Sequence, residues 1–396
     1  NSALLFSSCE GPMGPSGADG LDGADGKDAN ETCKQCHNSN VVMAKAIEYE
    51  HSLHFKGEAF EEGTRNNCAP CHSHQGFLDV VKNNTPATIV VNPSNPARYI
   101  NNYVAGASAL ALPGSISCFT CHSSLHTNYA ATEFLPLTTT AAVSMTMWGG
   151  TKSLNFTKNS ANLCAKCHQP RPITASSGAL IDYSKLISEP EATYNLSSIS
   201  YRTGVHYGTQ AAMAAGTGGI EFGTGYTNSN HVTGASCIDC HMATPSEMAG
   251  GHSFNAAGNF AGCNVSGCHS SMSATSNTFL ASINDISEKL SDLADMIDLI
   301  ATPEILQKDE ATGEYTGYFD IFDRGSNLSG KYKSPSTTGW TTEEIDYNNS
   351  LPELPALTNA QFGAILNFQL VLRDGSRGIH NYAYIIKLLE NSIAAI

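Results

Sequence analysis

Basic residues are scarce: 21 Lys and Arg stand against 36 Asp and Glu, a formal net charge of -15. Clustered cations are what nucleic-acid phosphates demand, so this balance argues against a nucleic-acid partner. The acidity suits an exported surface and can steer basic partners without fixing a function. Long apolar runs are missing too. None approaches the ~20 residues of a spanning helix, so any membrane association has to come through a lipid. A phosphate-binding loop and a Ser/His/Asp grouping are also absent. The Gly-rich GTGGIEFGTG at 216–225 has no Lys-Ser/Thr end and no strand-helix context, and reads as a plain loop.

The N-terminus addresses the compartment. LLFSSC at 4–9 resembles the tail of a bacterial lipoprotein signal peptide, which makes Cys9 the lipidated first residue of the mature protein. The chain opens without Met or a basic segment, so an upstream part of that signal is expected to be missing. Then Gly11, Gly14, Gly17, Gly20, Gly23 and Gly26 recur with a strict collagen-like period of three. Six triplets with prolines only at Pro12 and Pro15 are too few for a stable triple helix. Residues 10–30 are expected to be a solvated tether with an extended reach on the order of 50 Å.

What the chain does have is 13 Cys and 14 His. Ten of the cysteines form five CxxCH motifs: Cys33, Cys36 and His37; Cys68, Cys71 and His72; Cys118, Cys121 and His122; Cys164, Cys167 and His168; Cys237, Cys240 and His241. CxxCH is the attachment motif of haem c. Its two thiols form thioethers to the vinyl groups, and the adjacent histidine ligates the iron. Zinc ribbons use paired CxxC knuckles, and exported proteins use disulfides. Neither explains a histidine directly after the second cysteine five times.

Setting aside Cys9, two cysteines remain, Cys263 and Cys268, and His269 follows the second. CNVSGCH has four residues between its cysteines where the other motifs have two. A structural disulfide is one reading. A sixth attachment loop, widened by a bulge at Asn264 and Gly267, also accounts for His269 and is preferred.

A haem iron with one histidine has a further axial position. Removing six motif histidines from 14 leaves eight: His51, His54, His74, His126, His206, His231, His252 and His380. Several track the motifs, as in CHSSLH (His126), NSNH (His231) and CHMATPSEMAGGHSF (His252). With histidines in surplus, ligation by two imidazoles and mostly low potentials are expected, since Met/His ligation raises the potential. Met242, beside a motif histidine, reads as packing. Arg98, Arg171 and Arg202 are candidates to pair with haem propionates.

The segments CIDCHM with GGHSF, HYGTQAAMAAGTGG, NSNH, CFTCHSSLHT and NLCAKCHQPRP resemble exported multihaem c-type cytochromes. The C-terminal RDGSRGIHNYAYIIKLL resembles the DGSxGxHNPxY element of the superfamily that includes pentahaem nitrite reductases and octahaem hydroxylamine oxidoreductases. The resemblance covers roughly residues 33–275 and 360–390, with Tyr382 where the family carries Pro. It implies that His380 is a distal ligand carried by a C-terminal helical region. Matched position by position, it implies His54, His126, His206, His231, His252 and His380 as the distal set. His54 is preferred to His51 through the Ser-x-His pattern of Ser52 to His54, and His51 and His74 are left spare. It implies haem packing and electron transfer without naming a substrate.

The expected fold is mainly α with much irregular loop, a multihaem architecture built around stacked haems. A multihaem domain at 31–275 precedes a helical region at 276–396. Ile283, Ile286, Leu290, Leu293, Ile297 and Ile300 form one apolar stripe on a helix over 277–300. Residues 302–357 read as a long connection, followed by helices over 358–373 and about 381–392. The function expected is a hexahaem electron carrier, an exported lipoprotein of the bacterial outer membrane facing the periplasm or cell surface. Its partners are redox proteins or extracellular acceptors. The alternatives are a reductase of nitrogen or sulfur oxyanions with one open iron, and a subunit of a homo-oligomeric cytochrome filament. The absence of a CxxCK motif lowers the first.

Overall fold

The computed structural model describes residues 38–65, 68–82, 88–92, 95–102, 114–122, 137–173, 181–194, 199–324 and 330–396. Cys9, the 10–30 tether, Cys33, Cys36, His37 and His126 lie outside the described residues, as does the side chain of Arg98. By contacts the chain divides into residues 1–44 and 45–396.

The described structure is helix-rich, with little sheet and long irregular loops. Its longer helices are α1 (Ser39–Glu50), α2 (His74–Lys82), α3 (Asn277–Asp298), α4 (Thr342–Ser350), α5 (Asn359–Asp374) and α6 (Tyr382–Ala395). Among the described residues the strands form two-stranded antiparallel pairs: β1 (Thr88–Asn92) with β2 (Asn95–Asn102), β3 (Val143–Ser144) with β4 (Ser153–Leu154), and β5 (Leu306–Lys308) with β6 (Tyr315–Phe319).

The helix at 277–298 carries the expected stripe. Ile286, Leu293 and Ile297 are fully buried, while Leu290 and Ile300 pack from its margin. Helix α5 starts at Thr358, whose hydroxyl accepts from Gln361 N–H while the Gln361 side chain accepts from Thr358 N–H at 2.9 Å. It stops at Gly375, which takes the left-handed φ of 69°. Between those signals nearly every side chain is buried, so α5 is the central element, packed by α3 and α6. The expected connection at 302–357 is more structured than its composition suggests. It holds β5, β6 and α4, the last nucleated by a capping box in which Glu344 accepts from Thr341 N–H at 2.7 Å.

Two amides on α5 fasten loops to this core. Asn367 takes the Ile220 N–H and gives to the Ile220 carbonyl, both at 2.8 Å, and also reaches Ser392 Oγ. Gln369 accepts from Val205 N–H at 2.9 Å and donates to the carbonyls of Thr203 and Gly317. The backbone just before His206 is thereby fixed. On α6, Tyr384 donates to Glu221 and accepts from Gly219 N–H, so the 216–225 segment is a packed loop.

The buried apolar cluster runs from Val143 to Leu389 and draws on both sides of residue 275. Upstream of Val143 the described fully buried apolar side chains are Ala69, Phe77 and Val80. Among the described residues the apolar core thus lies in the C-terminal two thirds of the chain. Asn367→Leu is expected to strand the N–H and C=O of Ile220 and to cost about 3 kcal/mol of unfolding free energy. A lowered urea midpoint reads this out; an unchanged midpoint contradicts it.

Candidate functional site

Among the described motifs three are single helical turns, Ala69–His72, Cys118–Cys121 and Cys237–His241, while Cys164 lies near the end of the short helix Ala161–Ala165. In Cys118–Cys121 and Cys237–His241 the turn begins at the first cysteine. The third residue of the turn closes it: Thr120 Oγ1 accepts from Ser117 N–H at 2.9 Å, and Asp239 Oδ2 accepts from Ser236 N–H at 2.7 Å. The histidine N–H returns to the first cysteine's carbonyl, at 3.1 Å for His72 and Cys68 and at 2.9 Å for His122 with Cys118 and His168 with Cys164. The widened motif does the same over a longer loop, with His269 N–H donating to the Cys263 carbonyl at 3.1 Å. Its extra residues bulge at Gly267, where φ is 86° and the space beside the backbone is open. No disulfide joins Cys263 to Cys268.

The histidines meet in pairs. His72 faces His206 with ring centres 6.2 Å apart, His54 faces His168 at 6.0 Å, His231 faces His269 at 6.2 Å, and His241 faces His380 at 6.2 Å. Every pair joins one motif histidine to one from elsewhere in the chain. His252 lies close enough to His122 for that ring to depress its pKa, behind burial and Lys45 in size. A metal bonded to two opposed imidazoles by about 2 Å on each side, with about 1 Å more from nitrogen to ring centre, sets the centres about 6 Å apart. The observed pairs have that spacing. Among the described residues no three of His, Cys, Asp and Glu converge on one point. The donors come in opposed twos, which suits a group that brings its own equatorial ligands.

In three of the four pairs the ring nitrogen turned away from the partner is engaged. His241 Nδ1 donates to the Phe254 carbonyl at 2.8 Å, His231 Nδ1 to the Ile379 carbonyl at 2.8 Å, and His168 Nδ1 to Gln210 Oε1 at 3.3 Å. His380 Nδ1 meets Asp374 Oδ1 at 2.6 Å. Holding the proton on Nδ1 leaves the Nε2 lone pair for a metal. Phe254, itself at φ 53°, also sets its ring 5.0 Å from His54 and 5.8 Å from His252, so one strained residue touches three histidine sites.

Burial and neighbouring charge favour the neutral form of three of these rings. Burial, then His168 and His241, push His54 down to about 4. Burial, then Arg171, His72, Arg373 and Arg202, push His206 to about 3. Burial also lowers His168. His380 is the exception: burial pulls it down, but the Asp374 carboxylate more than offsets this and raises it.

Thiols of different motifs also converge. Cys71 Sγ reaches the Lys166 carbonyl at 3.7 Å, and Cys167 Sγ reaches the Pro70 carbonyl at 3.9 Å. A hydrogen bond between these two thiols holds Cys71 down and pushes Cys167 up; a second joins Cys164 to Cys237. Around the same motifs apolar side chains face outward, Leu53 at 85% exposure and Phe119 at 61%, with Ile238 and Val265 also exposed. A large flat apolar group against these faces would bury them.

His51 is exposed and outside the ring pairs, while His74 Nδ1 lies 2.8 Å from Thr120 Oγ1 and links the second motif to the third. Of the arginines, Arg171 and Arg202 stand near His206. Arg373, which sequence reading passed over, joins them, stacked between Tyr207 and Tyr318 at 4.8 and 5.1 Å. Asp374, Gln210 and the Phe254 carbonyl were also missed; the RDGSRGIHNYAY stretch was the one signal that held Asp374. No family model, curated protein or solved structure matches the chain.

If haem is loaded as the motifs imply, His54→Ala is expected to leave one iron without its second imidazole, giving a high-spin ferric signal in the electron paramagnetic resonance (EPR) spectrum. His51→Ala is expected to leave the spectrum as it was. The opposite pattern would reverse the choice between them.

Proposed function

We propose that the chain is a hexahaem c-type cytochrome that carries electrons between redox partners or to an extracellular acceptor. The observation that carries this reading is the set of opposed histidine pairs, each combining one motif histidine with one distant one at 6.0–6.2 Å. Bound haem iron supplies reversible one-electron chemistry. The protein's part is to fix both axial positions. His72, His168, His241 and His269 would ligate from the motif side, and His206, His54, His380 and His231 from the other, with His252 serving the His122 site. Cys68 and Cys71, Cys118 and Cys121, Cys164 and Cys167, Cys237 and Cys240, and Cys263 and Cys268 would provide the thioethers. Cys33, Cys36, His37 and His126 complete the proposed set.

Two imidazoles at each iron leave no position for substrate, which favours a carrier over an oxyanion reductase. The approach of Cys71 to Cys167 and of Cys164 to Cys237 supports haems stacked close together. The Arg171, Arg202 and Arg373 group suits propionates, because the buried Arg373 Nε has no hydrogen-bond partner and guanidinium matches carboxylate. Among the described residues no helix is long and apolar enough to cross a membrane, so lipid at Cys9 is the proposed anchor in the bacterial outer membrane.

The test is to purify the loaded protein and record mass and spectrum together. Six covalent haems, low-spin ferric iron throughout and no reaction with CO are expected. A high-spin component that binds CO would favour the oxidoreductase instead, and a mass without haem would end both readings.

A further inference from the structure

Among the described histidine sites one is backed by an uncompensated negative charge. Asp374 is the last residue of α5, and its side chain is 1% exposed. One carboxylate oxygen lies 2.6 Å from His380 Nδ1; the other accepts from the Ser376 hydroxyl and lies 3.4 Å from Ser376 N. No lysine or arginine pairs with it among the described residues. The neighbouring Arg373 turns away, donating through Nη2 to the Gly317 carbonyl at 2.9 Å. The carboxylate also sits at the C-terminal end of a 16-residue helix, where the backbone carbonyls add partial negative charge.

The other engaged rings meet weaker acceptors. His241 and His231 donate to backbone carbonyls and His168 to an amide oxygen. Glu48 approaches His252 Nδ1 only to 3.6 Å, and its charge is shared with Lys45 at 2.8 Å and with the His252 N–H at 2.9 Å.

A carboxylate hydrogen-bonded to a ligating imidazole draws its N–H proton away and makes the ring a stronger donor. Fixed negative charge in a low-dielectric site favours the more positive state of the metal. We infer that Asp374 is a positioning and tuning residue that makes His380 an imidazolate-like ligand, so that the iron held by His241 and His380 is the most reducing of the described sites. This rests on the multihaem reading above. It assigns to one site a role that the histidine pairs alone leave equal.

The test is a potentiometric titration of the loaded protein, followed by EPR and near-infrared magnetic circular dichroism. His380→Met identifies which midpoint belongs to this iron. Asp374→Asn keeps an acceptor in place and removes the charge. The expected result is that the lowest midpoint is the one His380→Met displaces, and that Asp374→Asn shifts it upward with haem content and low-spin character intact. Glu48→Gln is expected to leave it in place. An unmoved midpoint in Asp374→Asn, or a lowest midpoint that His380→Met does not touch, overturns the inference. Should Asp374→Asn fail to load haem, the wild-type near-infrared spectrum decides: one bis-imidazole haem with a displaced charge-transfer band supports the inference, and uniform bands overturn it. Absence of haem from the wild-type protein would sink the underlying reading instead.

Discussion

Opposed imidazoles held about 6 Å apart are the constraint on which the remaining structure depends. Two rings at that distance with nothing between them gain little from each other. Neither touches the other, and both are costly to bury unless their nitrogens find partners. The chain nevertheless spends carbonyls, amides and a buried carboxylate on aiming them. His241 and His231 are aimed by backbone, His168 by Gln210, and His380 by Asp374. The Ile379 carbonyl lies 148 residues from His231, and His380 stands between α5 and α6, so the two pairs that include His231 and His380 can exist only once the C-terminal helices have packed.

That dependence explains where the core is. The helical layer of α3, α5 and α6 is dense enough to stand on its own apolar contacts, and it acts as the jig for the histidine-bearing loops. Gln369 fixes the loop of His206. Asn381, just after His380, accepts from Ser229 N–H at 2.9 Å and donates to Asn228, which fixes the approach to His231. Upstream, the motifs have few buried apolar residues and show Leu53 and Phe119 outward. Under the proposed function, those described motifs would fold against the bound group, with binding and folding one event there.

The motifs could be read from the sequence because the thioether chemistry proposed for them is local. Two thiols and a ligand must sit within one helical turn, and even the widened CNVSGCH keeps its histidine adjacent to the second cysteine. The stripe from Ile283 to Ile300 and the Thr358 cap were legible for the same reason, since periodicity and capping act within a few residues. The partner of each motif histidine was not. His54 meets His168 across more than a hundred residues, and no spacing encodes that. The Nδ1 acceptors on Phe254 and Ile379 are backbone atoms, which carry no side-chain signature at all. In the 302–357 stretch, Gly and Ser content masked the β5–β6 hairpin and α4, whose Thr341 cap was the available sign.

A high-resolution map of the haem-loaded protein tests the pairing most directly. The account predicts irons ligated between His72 and His206, His54 and His168, His231 and His269, and His241 and His380. Any of these rings ligating a different iron, or a pair with no metal between its rings, would contradict it.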